Sequence, residues 1–359
     1  MRRLPPFLAR LPLVTFAIAA AGVAAFHVAA LPLPFMLGPM FACLLAALAG
    51  VKMRGAGSLG TAMRTILGVA VGASVTPELL GRLPGMAYSV ALVLPMILLC
   101  GLIGMPYFRR VCGFDPVTSW YAAMPGGLQD MLAFGEEAGA RLRSLSLIHA
   151  TRVLAIVTLA PFLLVWLFGT GVTRPPGSPM AELPLSEMAV MVVTALAGWK
   201  IAEAVGLFGA AILGPLILTA VASIAGLITQ RPPAEAIFAA QFFIGMAVGV
   251  HYTGITAREF SRDVLAGLGY CVLLALISLG FAEIAVLLGF APPMEAFLSF
   301  APGGQAEMAV LAIVAGADVA FVVTHHIVRL LAVILGAPVA FRWLRRRVPV
   351  AVERRGGSD

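Results

Sequence analysis

Two acids, two histidines and two arginines set in otherwise apolar sequence are the residues of this chain that could do chemistry. Asp130 stands in Pro125-Gly126-Gly127-Leu128-Gln129-Asp130-Met131, and Glu307 in Pro302-Gly303-Gly304-Gln305-Ala306-Glu307-Met308. His149 and Arg152 follow the first motif at the distances at which His326 and Arg329 follow the second, a constant offset of 177 residues. A carboxylate in each copy could form a proton or cation site near a two-fold axis, or could cap the helix that starts at its own motif. An arginine inside an apolar helix costs at least about 2.5–3.5 kcal/mol on insertion scales, so Arg152 and Arg329 are expected to face the interior, with Asp130 and Glu307 as counter-charges. Snorkelling to the interface is the other outcome for such a side chain. Each histidine precedes its arginine by three residues and shares its helix face, as a hydrogen-bonded interior group or as part of a proton relay.

Pro-Gly-Gly must interrupt whatever helix it enters, because proline removes a donor and glycine admits conformations closed to other residues. The backbone groups so released cannot face lipid. They are buried in protein or line a wet cavity, and half-helix ends at such breaks bind ions and polar solutes. A tight turn between two short helices is the plainer alternative. The candidate substrate-binding set is therefore Pro125, Gly126, Gly127, Gln129, Asp130, Pro302, Gly303, Gly304, Gln305 and Glu307, with Arg152, Arg329, His149 and His326.

Apolar segments must position these residues, and they repeat too. Compared without gaps, 125–161 and 302–338 share thirteen identities. Leu37-Gly38-Pro39 is matched by Leu213-Gly214-Pro215, and Gly68-Val69-Ala70-Val71-Gly72 by Gly245-Met246-Ala247-Val248-Gly249, a small-residue face suited to close helix packing. The series reads as helices near 11–30, 33–51, 60–82, 86–108 and 144–168, with a polar region at 113–141. It then repeats near 186–205, 207–228, 236–256, 264–290 and 320–343, with a polar region at 291–318. Domain boundaries follow: a first membrane repeat over 1–172, a linker over 173–185, a second repeat over 186–344, and a basic, disordered tail over 345–359. Arg2, Arg3 and Arg10 before an apolar run look like a secretory leader. Because 186–205 occupies the matching place in the second half, the first run reads instead as a retained helix.

Composition sets the class. Hydrophobic residues make up 61% of the 359 and charged residues 11%, against roughly 25% charged in soluble domains. The mean hydropathy is +1.01. The runs are long enough to cross a hydrocarbon core and are continuously apolar rather than alternating, so they are helices and not barrel strands. The fold class expected is an all-α membrane protein of about ten transmembrane helices in two inverted five-helix repeats, each with a broken or re-entrant Pro-Gly-Gly segment. Charge supports the inversion. With the N-terminus inside and the Pro-Gly-Gly regions re-entrant, only Arg82, Arg174 and Arg231 face outward, as the positive-inside rule prefers. The net +7 thus reflects topology rather than nucleic-acid binding. Cys43, Cys100, Cys112 and Cys271 are scattered without a C-x-x-C, which points to small buried hydrophobes and to no metal or disulfide framework.

The paired Pro-Gly-Gly motifs, with Gly139 and Gly316, Arg152 and Arg329, and the Leu-Gly-Pro and Gly-x-Ala-x-Gly elements, resemble the duplicated bacterial AbrB-like integral membrane family over nearly the whole chain. Its members are often labelled ammonia monooxygenase or regulator. In that family a glutamine is common where His149 and His326 stand, and a glutamine commonly opens the Gly-x-Ala-x-Gly helix. Gln241 fits the second pattern, while Arg64 stands at the matching place in the first half. The expected function is a secondary transporter of a small polar or anionic solute, working by alternating access in the inner membrane, with both termini cytoplasmic. Indirect action on gene expression is the alternative reading, and an enzyme subunit ranks last. No enzymatic activity, cofactor or metal is expected. The partners expected are the lipid bilayer, a small polar solute, and protons or a cation. Direct nucleic-acid contact is not expected, and a homo-oligomer is compatible with the sequence.

Overall fold

A computed structural model describes residues 6–170, 175–207 and 209–347, and every described element is helical. The first half runs α1 (Pro6–Val28), α2 (Pro34–Leu48), α3 (Ser58–Gly72), α4 (Pro77–Ala91), α5 (Val93–Pro106), α6 (Pro116–Ala123), α7 (Leu128–Ala138) and α8 (Leu142–Phe168). The second runs α9 (Leu185–Ala204), α10 (Ala210–Ile224), α11 (Ala234–Val250), the single turn α12 (Ala257–Glu259), α13 (Leu265–Leu287), α14 (Pro293–Phe300), α15 (Gln305–Ala315) and α16 (Val319–Arg347). Among the described residues five helical stretches are long and apolar enough to cross a membrane: Pro84–Val111, Leu142–Phe168, Leu185–Ala204, Ala257–Leu287 and Val319–Trp343. Shorter apolar helices accompany them.

Local sequence sets the boundaries. Pro34, Pro77, Pro116 and Pro293 open their helices, where a missing N–H costs nothing. Asp115 caps α6 by accepting the Thr118 N–H at 2.8 Å, and Gly139 and Gly316 close α7 and α15 with φ of 85° and 76°. The apolar run at 60–82 is not one helix: α3 stops at Gly72 and Pro77 starts α4. The basic tail begins later than expected, since α16 continues through Arg347. The remainder of that tail, 348–359, and linker residues 171–174 lie outside the described residues.

The glycine faces seat helices of one half on those of the other. A Cβ on Gly72 of α3 would lie 2.7 Å from Thr219 Cβ of α10, and one on Gly249 of α11 would lie 2.6 Å from Cys43 Cβ of α2. Within each half the Leu-Gly-Pro helix touches its predecessor just as closely: a Cβ on Gly38 would meet the Gly22 carbonyl, and one on Gly198 the Gly214 carbonyl, each at 2.6 Å. No side chain fits at such separations. Helices α1–α3 and α9–α11 thus form one interleaved bundle.

The remaining elements form a second bundle. Tyr88, early in the stretch Pro84–Val111, stacks on Phe290, just beyond the end of α13, with centroids 5.3 Å apart. Tyr107, late in the same stretch, donates to the Ala266 carbonyl at the start of α13 at 3.1 Å. The two stretches therefore lie side by side in opposite chain directions. Each polar region is a helical hairpin whose ends meet. At the base of α6–α7 the Arg141 N–H donates to Thr118 Oγ1 at 2.9 Å and its guanidinium pairs with Asp115 at 3.2 Å. At the base of α14–α15 the Asp318 N–H donates to Glu295 at 3.2 Å.

Candidate functional site

Both hairpins turn at Pro-Gly-Gly. None of Gly126, Gly127, Gly303 and Gly304 has a positive φ. Gly127 (φ −67°, ψ 147°) and Gly304 (φ −73°, ψ 150°) are extended, a conformation open to any residue. Dihedral freedom is therefore not why glycine stands there. Flexible side chains fold onto these glycines instead: a Cβ on Gly126 would lie 2.7 Å from Met131 Cε, one on Gly303 2.6 Å from Met308 Cε, and one on Gly127 2.6 Å from Asp130 Oδ2, each the movable end of its chain. The Glu307 carboxylate covers Gly304 in the same way. Each acid thus folds back over the glycine that precedes its helix, at the position from which a carboxylate stabilises a helix N-terminus.

The buried arginines answer the broken backbone and not the acids. Arg329 donates to the carbonyls of Ala301 at 2.7 Å and Gly303 at 2.6 Å. Arg152 donates to Met124 at 3.1 Å and to Gly126. The expectation that Asp130 and Glu307 would be their direct partners is corrected here: carbonyls freed by the break are nearer acceptors and hold the planar fork at two points. The histidines do the same one turn earlier. His149 Nε2 lies 3.0 Å from the Tyr121 carbonyl, and His326 Nε2 lies 2.9 Å from that of Leu298. Every acceptor in one hairpin is 177 residues from its counterpart in the other.

The two tips meet at one cavity of about 550 Å³. Pro125, Gly126, Gly127 and Asp130 line it from the first hairpin, and Gly303, Gly304, Gln305 and Glu307 from the second, with His326 and Arg329 of α16. Pro302, His149 and Arg152 are buried but are not wall residues. The side chain of Gln129 lies outside the described residues. The cavity runs toward the end of the molecule where α9 stops and α10 starts, bringing Trp199, Glu203 and His251 to its wall.

Arg64, noted in the sequence as the first-half counterpart of Gln241 but not among the expected site residues, also lines the cavity. It lies one residue before Thr65 in α3, half-buried, and acts electrostatically on both Asp130 and Glu307. A cation two turns into a small-residue helix that is otherwise apolar was the available signal. Its counterpart Gln241 is 1% exposed, and its Nε2 has no partner among the described residues.

The sequence is similar to known proteins over most of its length. The chain is 26% identical over 295 residues to "Uncharacterized protein YhjN" of Bacillus subtilis (strain 168), covering 78% of this chain and 77% of that protein. It is 24% identical over 330 residues to "Putative regulator AbrB" of Escherichia coli (strain K12), covering 89% and 92%. The family model described as "Transition state regulatory protein AbrB" matches residues 35–345. With that match spanning most of the sequence, including both hairpins and the cavity they share, the chain belongs to the AbrB family.

Proposed function

We propose that this protein is a secondary transporter, a carrier rather than an enzyme, that moves a small polar or anionic solute across the bacterial inner membrane. In this reading the chain crosses ten times as two inverted repeats of five, with both termini cytoplasmic, and the hairpins re-enter without crossing. The observation that carries it is the meeting of two sequence-equivalent broken helices, each with an acid at its tip, in one cavity. Opposite running of Pro84–Val111 and Ala257–Leu287 supports the inversion. A second recess of about 320 Å³, lined by Ser74, Thr229, Arg231 and Asp318, lies at the other ends of the helices and supports a second access route.

Alternating access then consists of exchanging which end of the cavity is open, with the interleaved bundle and the hairpin bundle moving against each other around the tips. A proton or cation held at Asp130 and Glu307 would couple the exchange to a gradient. The word "regulator" in a relative's name is compatible with an indirect effect, since a carrier that sets an internal solute level alters expression without touching DNA. Flux of a radiolabelled solute panel into proteoliposomes, with and without a proton gradient, is the test. Rates no higher than in protein-free vesicles across the panel would sink the reading.

A further inference from the structure

The charges in the cavity are separated in a way that describes a ligand. Asp130 and Glu307 sit at the two hairpin tips, and Arg64 faces them from α3. Arg64 is near enough to act on both carboxylates, yet among the described residues it forms no ion pair and no hydrogen bond. Arg329 differs: its two terminal nitrogens are committed to carbonyls. Each carboxylate leans on the backbone of its own helix N-terminus, and Glu203 at the cavity mouth pairs with Lys200, so Arg64 is the half-buried cation of this wall left without a close partner among the described residues.

Two further groups lack partners. Gln305 Nε2 is buried and unsatisfied on the wall of the cavity. His326, 1% exposed and also on the wall, has an unpartnered Nδ1. Apolar wall comes from Val153, Ile212, Leu213, Ile244 and Leu330. About 550 Å³ is within the range of about 300–1,000 Å³ typical of small-molecule sites.

We infer that the cavity takes a small zwitterion, an amino-bearing carboxylate with a short apolar side chain, its ammonium toward Asp130 and Glu307 and its carboxylate on Arg64 and the Gln305 amide. Such a ligand replaces one long-range attraction by two short charge-assisted contacts, and its side chain lies on the apolar wall. A simple anion would satisfy Arg64 but face two carboxylates, and a simple cation would leave Arg64 unpaired. This inference rests on the transporter reading for its biological sense but on the cavity alone for its chemistry.

Titration calorimetry on the purified full chain in detergent tests it with three probes of matched length: norvaline, pentanoate and pentylamine. Norvaline is expected to bind, with pentanoate and pentylamine weaker by roughly 100-fold, since each leaves a desolvated charge unpaired. Arg64→Gln, which installs the residue found at the equivalent position 241, is expected to weaken norvaline by roughly 10-fold or more while tightening pentylamine, because the cation that opposes an ammonium is gone. Pentanoate or pentylamine binding as tightly as norvaline would overturn the inference, as would no norvaline binding to the unaltered chain. Calorimetry reads binding without flux. A chain that binds norvaline but moves nothing across vesicles sinks the transporter reading alone, and one that transports pentanoate without binding norvaline sinks this inference alone.

Discussion

Arg329 reaches back 26 residues to the carbonyl of Gly303 and holds it at 2.6 Å, while its other terminal nitrogen takes the Ala301 carbonyl at 2.7 Å. One guanidinium so holds two of the carbonyls freed where α14 stops, beside the Leu298 carbonyl that His326 takes. Arg329→Met should strand two buried acceptors at about 1–3 kcal/mol each. The expected result is a fall in unfolding midpoint and fast hydrogen exchange over 305–310. Arg329→Lys, able to meet one carbonyl with a point charge, should recover part of the loss. An unchanged midpoint in Arg329→Met would show that the hairpin does not depend on this clamp.

Gly72 and Gly280 separate packing from flexibility. A Cβ on Gly72 would meet Leu216 O at 2.5 Å and Thr219 Cβ at 2.7 Å, whereas one on Gly280 would meet nothing within 4 Å. Gly72→Ala should therefore destabilise by roughly 1–3 kcal/mol through forced separation of α3 and α10. Gly280→Ala should be neutral or stabilise by up to about 1 kcal/mol through helix propensity. Thermal unfolding of the two variants side by side checks both signs.

Orientation is accessible to labelling. In a chain with the four native cysteines replaced by alanine, Lys200→Cys and Thr229→Cys place single thiols at the two ends of the α9–α10 region, where both residues are exposed. In whole cells an impermeant maleimide should label position 229 and spare position 200, which should react only after lysis. The reverse pattern would invert the proposed orientation, and equal labelling of both would dismiss a membrane crossing between them.

The acids at the tips should matter to coupling more than to folding. Asp130→Asn keeps the size and shape of the group in the first turn of α7, and Glu307→Gln does the same in the first turn of α15. Both should elute and unfold like the parent, with gradient-driven flux reduced by at least about 100-fold, the scale expected when a buried charge partner is lost. Retained coupled flux in both would remove the acids from the mechanism and leave them as helix caps.

Several of these relationships could be read from the chain before any geometry. Pro-Gly-Gly identified both breaks through proline, whose missing N–H sequence displays directly, whereas the special dihedrals expected of the glycines are not used. The recurrence of His149 and Arg152 at His326 and Arg329 showed that the two breaks are served alike. What these side chains bind was not legible: carbonyls are present at every residue, and only the fold decides that those of Met124 and Gly126, rather than the carboxylate of Asp130, come within reach of Arg152. Arg64 escaped for a related reason, since its place on the cavity wall depends on packing of α3 between both halves. The break at 73–76 did carry a local signal, Ser74 and Thr76 followed by Pro77 and Glu78, which hydropathy averaged over 60–82 conceals.

The interleaving of α3 with α10 and of α2 with α11 also governs how the protein is made. The surface around Gly72 meets Thr219 only after about 150 further residues have been synthesised, which takes roughly 7–30 s at 5–20 residues per second. Throughout that interval the nascent first half exposes a groove shaped for a helix that does not yet exist. Ribosome pausing within 173–185 would lengthen the exposure, and the two halves expressed from separate messages would each inherit an unfilled seam.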